Sequence, residues 1–190
     1  STRASAPGRS IRITDALALA HIVGVLPNLG DLKKTGARLE AAQVALRNVL
    51  DASVAGTPDA FAWYVDEQGN VQSASGEPAP SPETMRSVRG HPVFQQTQEG
   101  YALDALWSPA QPLTWVGAAP VTTEGASAGA VIVGTRLQKK DLETKGKSAA
   151  VMALLEGNKV LLAQGDESAA AALAGKQDGQ DVFVGGRRAS

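Results

Sequence analysis

The sequence predicts an α+β protein: a five-stranded antiparallel sheet with a long N-terminal helix, followed by the start of a second, incomplete module of the same kind. Three observations point there. A helical apolar stripe gives way to a stretch of two-residue period, the last three strands of the first module follow one another without a helix between them, and one hairpin is written twice.

Residues 1–30 read as an N-terminal segment, disordered in part, because STRASAPGRS is small and polar and has nothing to bury. ALALAHIVGVL at 16–26 stops at Pro27 and is far short of the roughly 20 residues of a membrane-crossing helix, so it reads as a buried helix. No Met opens the chain, which predicts an excised or processed piece, with any membrane-spanning segments outside it.

The first module is expected over 31–137. In DLKKTGARLEAAQVALRNVLDASVAG, Leu39, Ala42, Leu46, Val49 and Leu50 recur at three- and four-residue steps, the buried stripe of a long helix, and Gly56-Thr57-Pro58 ends it. The period then drops to two. Phe61, Trp63 and Val65 face one way and Ala62, Tyr64 and Asp66 the other, as in a strand. Glu67-Gln68-Gly69-Asn70 is a turn with a Gly for a positive backbone dihedral, and NVQSAS returns as the second arm of a hairpin. Ser81-Pro82-Glu83 carries the cap, first-turn Pro and early acid of a helix start. HPVFQQTQ is a second short helix, started by His91 and ended at Gly100. Three strands complete the sheet, at 101–107, 113–121 and 128–137, with breaks at Ser108-Pro109 and Glu124-Gly125.

WYVDEQGNVQSASGE (63–77) then comes back as ALLEGNKVLLAQGDE (153–167). Gly157 follows Gly69 by 88 residues and Gly165 follows Gly76 by 89, so the copies differ by one inserted residue. A charged linker helix is expected over 138–148 and a partial second module over 149–190. There ESAAAALAG takes the place of PETMRSVRG, and the VFVGG edge invites pairing with another chain.

Several chemistries are excluded. With 18 basic against 19 acidic residues and no basic stripe, there is no electrostatic case for nucleic acid. Without Cys there is neither a disulfide nor a thiolate site. Gly125-Ala126-Ser127-Ala128-Gly129 matches the G-x-S-x-G nucleophile elbow, but a strand follows it where a helix is needed, and both His21 and His91 precede it. Gly146-Lys147-Ser148 resembles the end of a phosphate loop, yet Asp141 stands where its first Gly belongs. Two distant His and no run of spaced acids predict no metal and no cofactor. Asp66-Glu67 and Asp166-Glu167 fall in or beside turns, where solvated acids are the ordinary occupants.

The aromatic residues Trp63, Tyr64, Tyr101, Trp107 and Trp115 fall mostly in strands, so the first sheet holds nearly all the large flat surfaces of the chain. A sheet with a helix on one face can carry either a core or a ligand pocket on the other. The residues suited to a small polar organic ligand are Tyr64, Arg86, Arg89, Tyr101, Asp104, Trp107 and Trp115. The competing expectation is core aromatics ringed by exposed charges.

HPVFQQTQEGYALDALW, LTWVGAAPVTTEGASAGAVIVGTRL and VMALLEGNKVLLAQG together resemble the Cache family of extracytoplasmic sensor domains, PAS-like in their central sheet. The resemblance runs over about 31–185 and rests on small and apolar positions at strand ends. It implies a PAS-like double Cache arrangement, membrane-distal module first, serving as the non-catalytic ligand-sensing domain of a bacterial transmembrane receptor. A periplasmic location, a small organic ligand, no cofactor and no membrane insertion of this segment go with it. No ligand-recognition motif of the amino-acid-binding members is found, so it carries no ligand identity. The alternatives are a ligand-free homodimerisation or protein-interaction module of GAF/PAS type, which would be cytoplasmic, and, last, a serine hydrolase at Ser127.

Overall fold

The structure, a computed structural model, describes residues 13–77, 79–81, 85–86, 88–107 and 114–137, and the backbone of 151–156, 159–165, 182–184 and 187–189. The chain divides into two compact units, 1–136 and 137–190.

In the first unit, helix α1 (Ile13–Gly24) leads through a 3-10 turn (Leu29–Lys33) into helix α2 (Ala37–Val54). The helix expected from residue 31 thus starts later, because DLKKTG brings only Leu32 to the apolar stripe and Gly36 stands at the cap. α2 buries Ala42, Leu46 and Leu50. α1, over the stretch at 16–26 that reads as a buried helix, packs Ala16, Leu19, Ala20 and Val23 into the same core.

The sheet contains β1 (Ala60–Val65), β2 (Val71–Gly76), β3 (Leu103–Trp107), β4 (Thr114–Thr123) and β5 (Ala126–Arg136). Its order is β2-β1-β5-β4-β3 with every neighbour antiparallel. The crossover from β2 at one edge to β3 at the other carries helix α3 (Pro92–Gln98). Strand alternation separates two apolar layers. Ala60, Ala62, Tyr64, Ala119, Val121, Val131 and Val133 meet α1 and α2. Phe61, Trp63, Val65, Val116, Ala118, Ala130 and Ile132 meet Val93 and Phe94 of α3. With both faces covered, all six residues of β1 are buried, which is why AFAWYV has no charge in it.

β4 and β5 slip by one residue between Val121 and Thr122, where Val121 pairs with Gly129 and Thr122 with Ser127. Gly129 has φ +112, and a Cβ there would stand 2.1 Å from the Val65 carbonyl oxygen, so the bulge admits no side chain.

In the second unit, β6 (Val151–Glu156) and β7 (Lys159–Gly165) form a hairpin, and β8 (Val182–Val184) pairs with β9 (Arg187–Ala189). Val182–Val184 therefore has a strand partner from its own chain on one edge. The β6–β7 register reproduces that of β1–β2. Phe61 pairs with Gly76 as Val151 does with Gly165, and both hairpins slip one pair beyond Tyr64–Ser73 and Leu154–Leu162, at Val65–Val71 and Leu155–Val160. Partners on the first arm are 90 residues apart, as Phe61 and Val151 are, and on the second 89, as Gly76 and Gly165 are. The second turn is thus one residue shorter than the first, a correction to the alignment of the glycines, which put an extra residue there. The linker at 138–148 and the ESAAAALAG helix lie outside the described residues.

Candidate ligand-binding site

On the α3 face, β1 contributes Phe61 and Trp63 from alternate positions, with ring centroids 4.6 Å apart. The Phe61 ring lies over β5 at Gly134, where a Cβ would be 2.7 Å from it. Trp107, at the end of β3, meets Trp63 edge-on at 5.7 Å and 85°. Its other neighbour is His91, stacked on it at 3.8 Å and 7°. His91 caps α3, its Nδ1 accepting the Val93 N–H at 3.3 Å, and burial lowers its pKa. Trp63 is fully buried, and its indole N–H has no hydrogen-bond acceptor among the described residues. Leaving such a donor unsatisfied costs about 1–3 kcal/mol.

The other face holds a cleft of about 230 Å³, lined by the 3-10 turn, Tyr64, the β1–β2 turn and the start of β5. The Tyr64 hydroxyl donates to the Ala128 carbonyl. Burial first, then the charges of Asp66 and Glu67, push its ionisation well above the usual tyrosine range. Asp66 organises the turn: its carboxylate accepts the Gln68 and Asn70 backbone N–H groups at 2.9 Å, the Asn70 side-chain amide at 3.1 Å and the Gln72 side-chain amide at 2.6 Å. Lys33 of the 3-10 turn pairs with Glu67 at 3.0 Å.

The seven residues picked from sequence do not share one site. Trp107 belongs to the α3 face and Tyr64 to the cleft. Register puts Trp115 in a row with Thr135 and Ala60, and Asp104 in a row with Gly117, Val133 and Ala62, both on the α1/α2 face. Arg86 and Arg89 are exposed before α3, and Tyr101 is 63% exposed ahead of β3. The sequence reading named Trp63 among the aromatics without choosing it as a site residue, did not single out Phe94, and took His91 only as a helix start, which it is. The two-residue period already set Trp63 beside Phe61, whereas no local signal announced the His91 stack. Gly125 to Gly129 form a tight hairpin turn and bulge between two strands, with Glu124 at φ 53 and Gly125 at φ 81, and Ser127 is exposed on β5. Gly146-Lys147-Ser148 lies outside the described residues. Among the described residues no group of three or more His, Asp or Glu is placed to hold a metal, and no helix is long and apolar enough to cross a membrane.

An antiparallel sheet of order β2-β1-β5-β4-β3, with two helices on one face and a short helix on the other, is the fold of Cache-type, PAS-like sensor domains. No family model matches the chain, and no curated protein does. Among solved structures it is similar to the sensor domain of the V. cholerae histidine kinase DctB, with 17% identity and a TM-score of 0.58 over 80% of this chain and 59% of that one. The ligand-binding domain of the Campylobacter jejuni chemoreceptor Tlp3, in complex with 4-methylisoleucine, is similar at 14% identity and a TM-score of 0.58, over 79% of this chain and 60% of that one. The ligand-binding domain of the Pseudomonas aeruginosa amino acid chemoreceptor PctC, in complex with GABA, is similar at 14% identity and a TM-score of 0.52, over 80% and 65%. The likeness is one of fold, and the chain spans about 60% of the length of the first two domains.

Proposed function

We propose that this chain is the non-catalytic, ligand-sensing part of a bacterial membrane receptor, lying in the periplasm, and that its first unit binds a small organic molecule on the α3 face. The observation that carries this reading is the buried Trp63 indole N–H, without an acceptor among the described residues and set among aromatic rings. A ligand carboxylate, carbonyl or hydroxyl would satisfy it. Of the residues chosen from sequence, Trp107 supplies ring surface on this face, and Arg86 and Arg89 stand exposed in the segment leading to α3. Sensor domains of the same fold that take amino acids or GABA support the reading by likeness. Binding would favour one packing of α3 and the helices on the sheet, and the signal could be no larger than the ligand's preference for that packing.

A thermal-shift screen of the purified chain against amino acids, organic acids and amines tests it. At least one class should raise the melting temperature and change tryptophan fluorescence, and Trp63→Phe should keep the fold and lose the response. Silence from every class, or an unaltered response in Trp63→Phe, would remove the α3 face as the sensing site.

A second reading, a homodimer, is favoured by the outer side of α1 and the turn after it, where Leu17 and Ile22 are 48% exposed and Val25 is 65% exposed. Sedimentation equilibrium of the wild type against Leu17→Glu distinguishes a dimer held there from a monomer.

A further inference from the structure

We infer that the cleft on the α1/α2 face is a second binding site, for a small organic cation such as a short-chain primary amine, and that it works independently of the aromatic layer on the other face. At about 230 Å³ it is smaller than the roughly 300–1,000 Å³ of sites for drug-sized molecules, so its occupant has few heavy atoms. Leu29 and Leu32 give it apolar lining for an alkyl chain.

Several donors of its lining are already engaged: the Gln72 amide with Asp66, the Thr123 hydroxyl with the Gly24 carbonyl and the Lys33 ammonium with Glu67. Tyr64 already gives its proton to the Ala128 carbonyl, so the phenol offers lone pairs. The groups that hold the Asp66 carboxylate are amides from Gln68, Asn70 and Gln72, which fix its position without cancelling its charge. Glu67 is met by Lys33, the lone cation of the lining, so two carboxylates and one ammonium leave the cleft at a net charge of -1. An entering anion would meet two carboxylates and an ammonium already engaged. An entering cation is drawn by Asp66 and can take the place of Lys33 at Glu67. The Lys33 side chain is 72% exposed and that of Glu67 31%, and an ion pair so open to water contributes little and exchanges easily. Burial first, and then the same two carboxylates, oppose ionisation of the Tyr64 phenol.

The test is amide chemical-shift mapping of the full chain with three size-matched probes: butylammonium, butyrate and 1-butanol. Butylammonium should produce saturable shifts in the 3-10 turn, the β1–β2 turn and the start of β5, while butyrate and butanol leave them in place. Glu67→Gln should weaken butylammonium about two- to fivefold, the size of one exposed charge contact. Lys33→Ala should strengthen it. Equal binding of butyrate or butanol, no saturable shift with any probe, or an unchanged affinity in Glu67→Gln would overturn the proposal. Trp63→Phe should leave amine binding intact, so that the loss of one site can be told from the loss of the other.

Discussion

The imidazole of His91 lies flat on the indole of Trp107, with ring centroids 3.8 Å apart and planes within 7° of parallel. The same ring caps α3 through Nδ1, which can accept the Val93 N–H only while unprotonated. Burial lowers the pKa from the usual 6.5, so in the window below 6.5 the unfolded chain takes up the proton first. The cap's contribution is complete above that value and is lost as pH falls towards the folded pKa. Urea unfolding at about pH 7 and about pH 5 should show a larger fall in stability for the wild type than for His91→Asn, which can cap without titrating. An NMR titration that placed His91 at or above the usual value would contradict this.

Tyr64→Phe keeps the ring in the core beneath α1 and α2 and removes the hydroxyl that donates to the Ala128 carbonyl. Chemical denaturation should show a loss of about 0.5–1.5 kcal/mol, the usual size for one such hydrogen bond. No loss at all would mean that water takes over the carbonyl in the variant.

Gly24→Ala should destabilise the chain although Ala is the better helix former. A Cβ at Gly24 would stand 2.4 Å from the Thr122 carbonyl oxygen, so α1 must lift from β4 and stretch the Thr123 hydroxyl's bond to the Gly24 carbonyl, now 3.2 Å. Overpacking of this kind costs about 1–3 kcal/mol, more than the roughly 1 kcal/mol that helix propensity returns. A higher melting temperature for the variant would show that α1 is not held at that point.

A fragment ending at Arg136 should fold by itself. All five strands and both apolar layers fall within the first unit, and every ladder of the sheet closes inside it. Near-ultraviolet circular dichroism and a cooperative melt check this. A fragment with secondary structure but no fixed aromatic signal would mean that the second unit is needed to complete the first.

Much of the fold was legible because its causes are local. The alternation of Phe61, Trp63 and Val65 with Ala62 and Tyr64 announced a strand and sorted those side chains to two faces. His91-Pro92 announced the start of α3. The late start of α2 was less visible, since propensity alone does not say whether DLKKTG continues a helix or turns away from it. The grouping of candidate residues was least visible of all. Trp107 pairs with Thr114 and Trp115 with Leu106, so the two tryptophans occupy opposite faces. A register one residue different would have set them side by side.

The sequence by itself determined the five strands of the first sheet, their order along the chain and the repetition of the hairpin, because capping, period and turn chemistry act within a few residues. Only the tertiary structure decided that Trp63, Trp107 and His91 form one aromatic layer while Tyr64, Asp66, Glu67 and Lys33 enclose a cleft on the reverse side. Those groupings depend on which distant strands pair and in what register, and that choice is made by burying both faces of β1 at once.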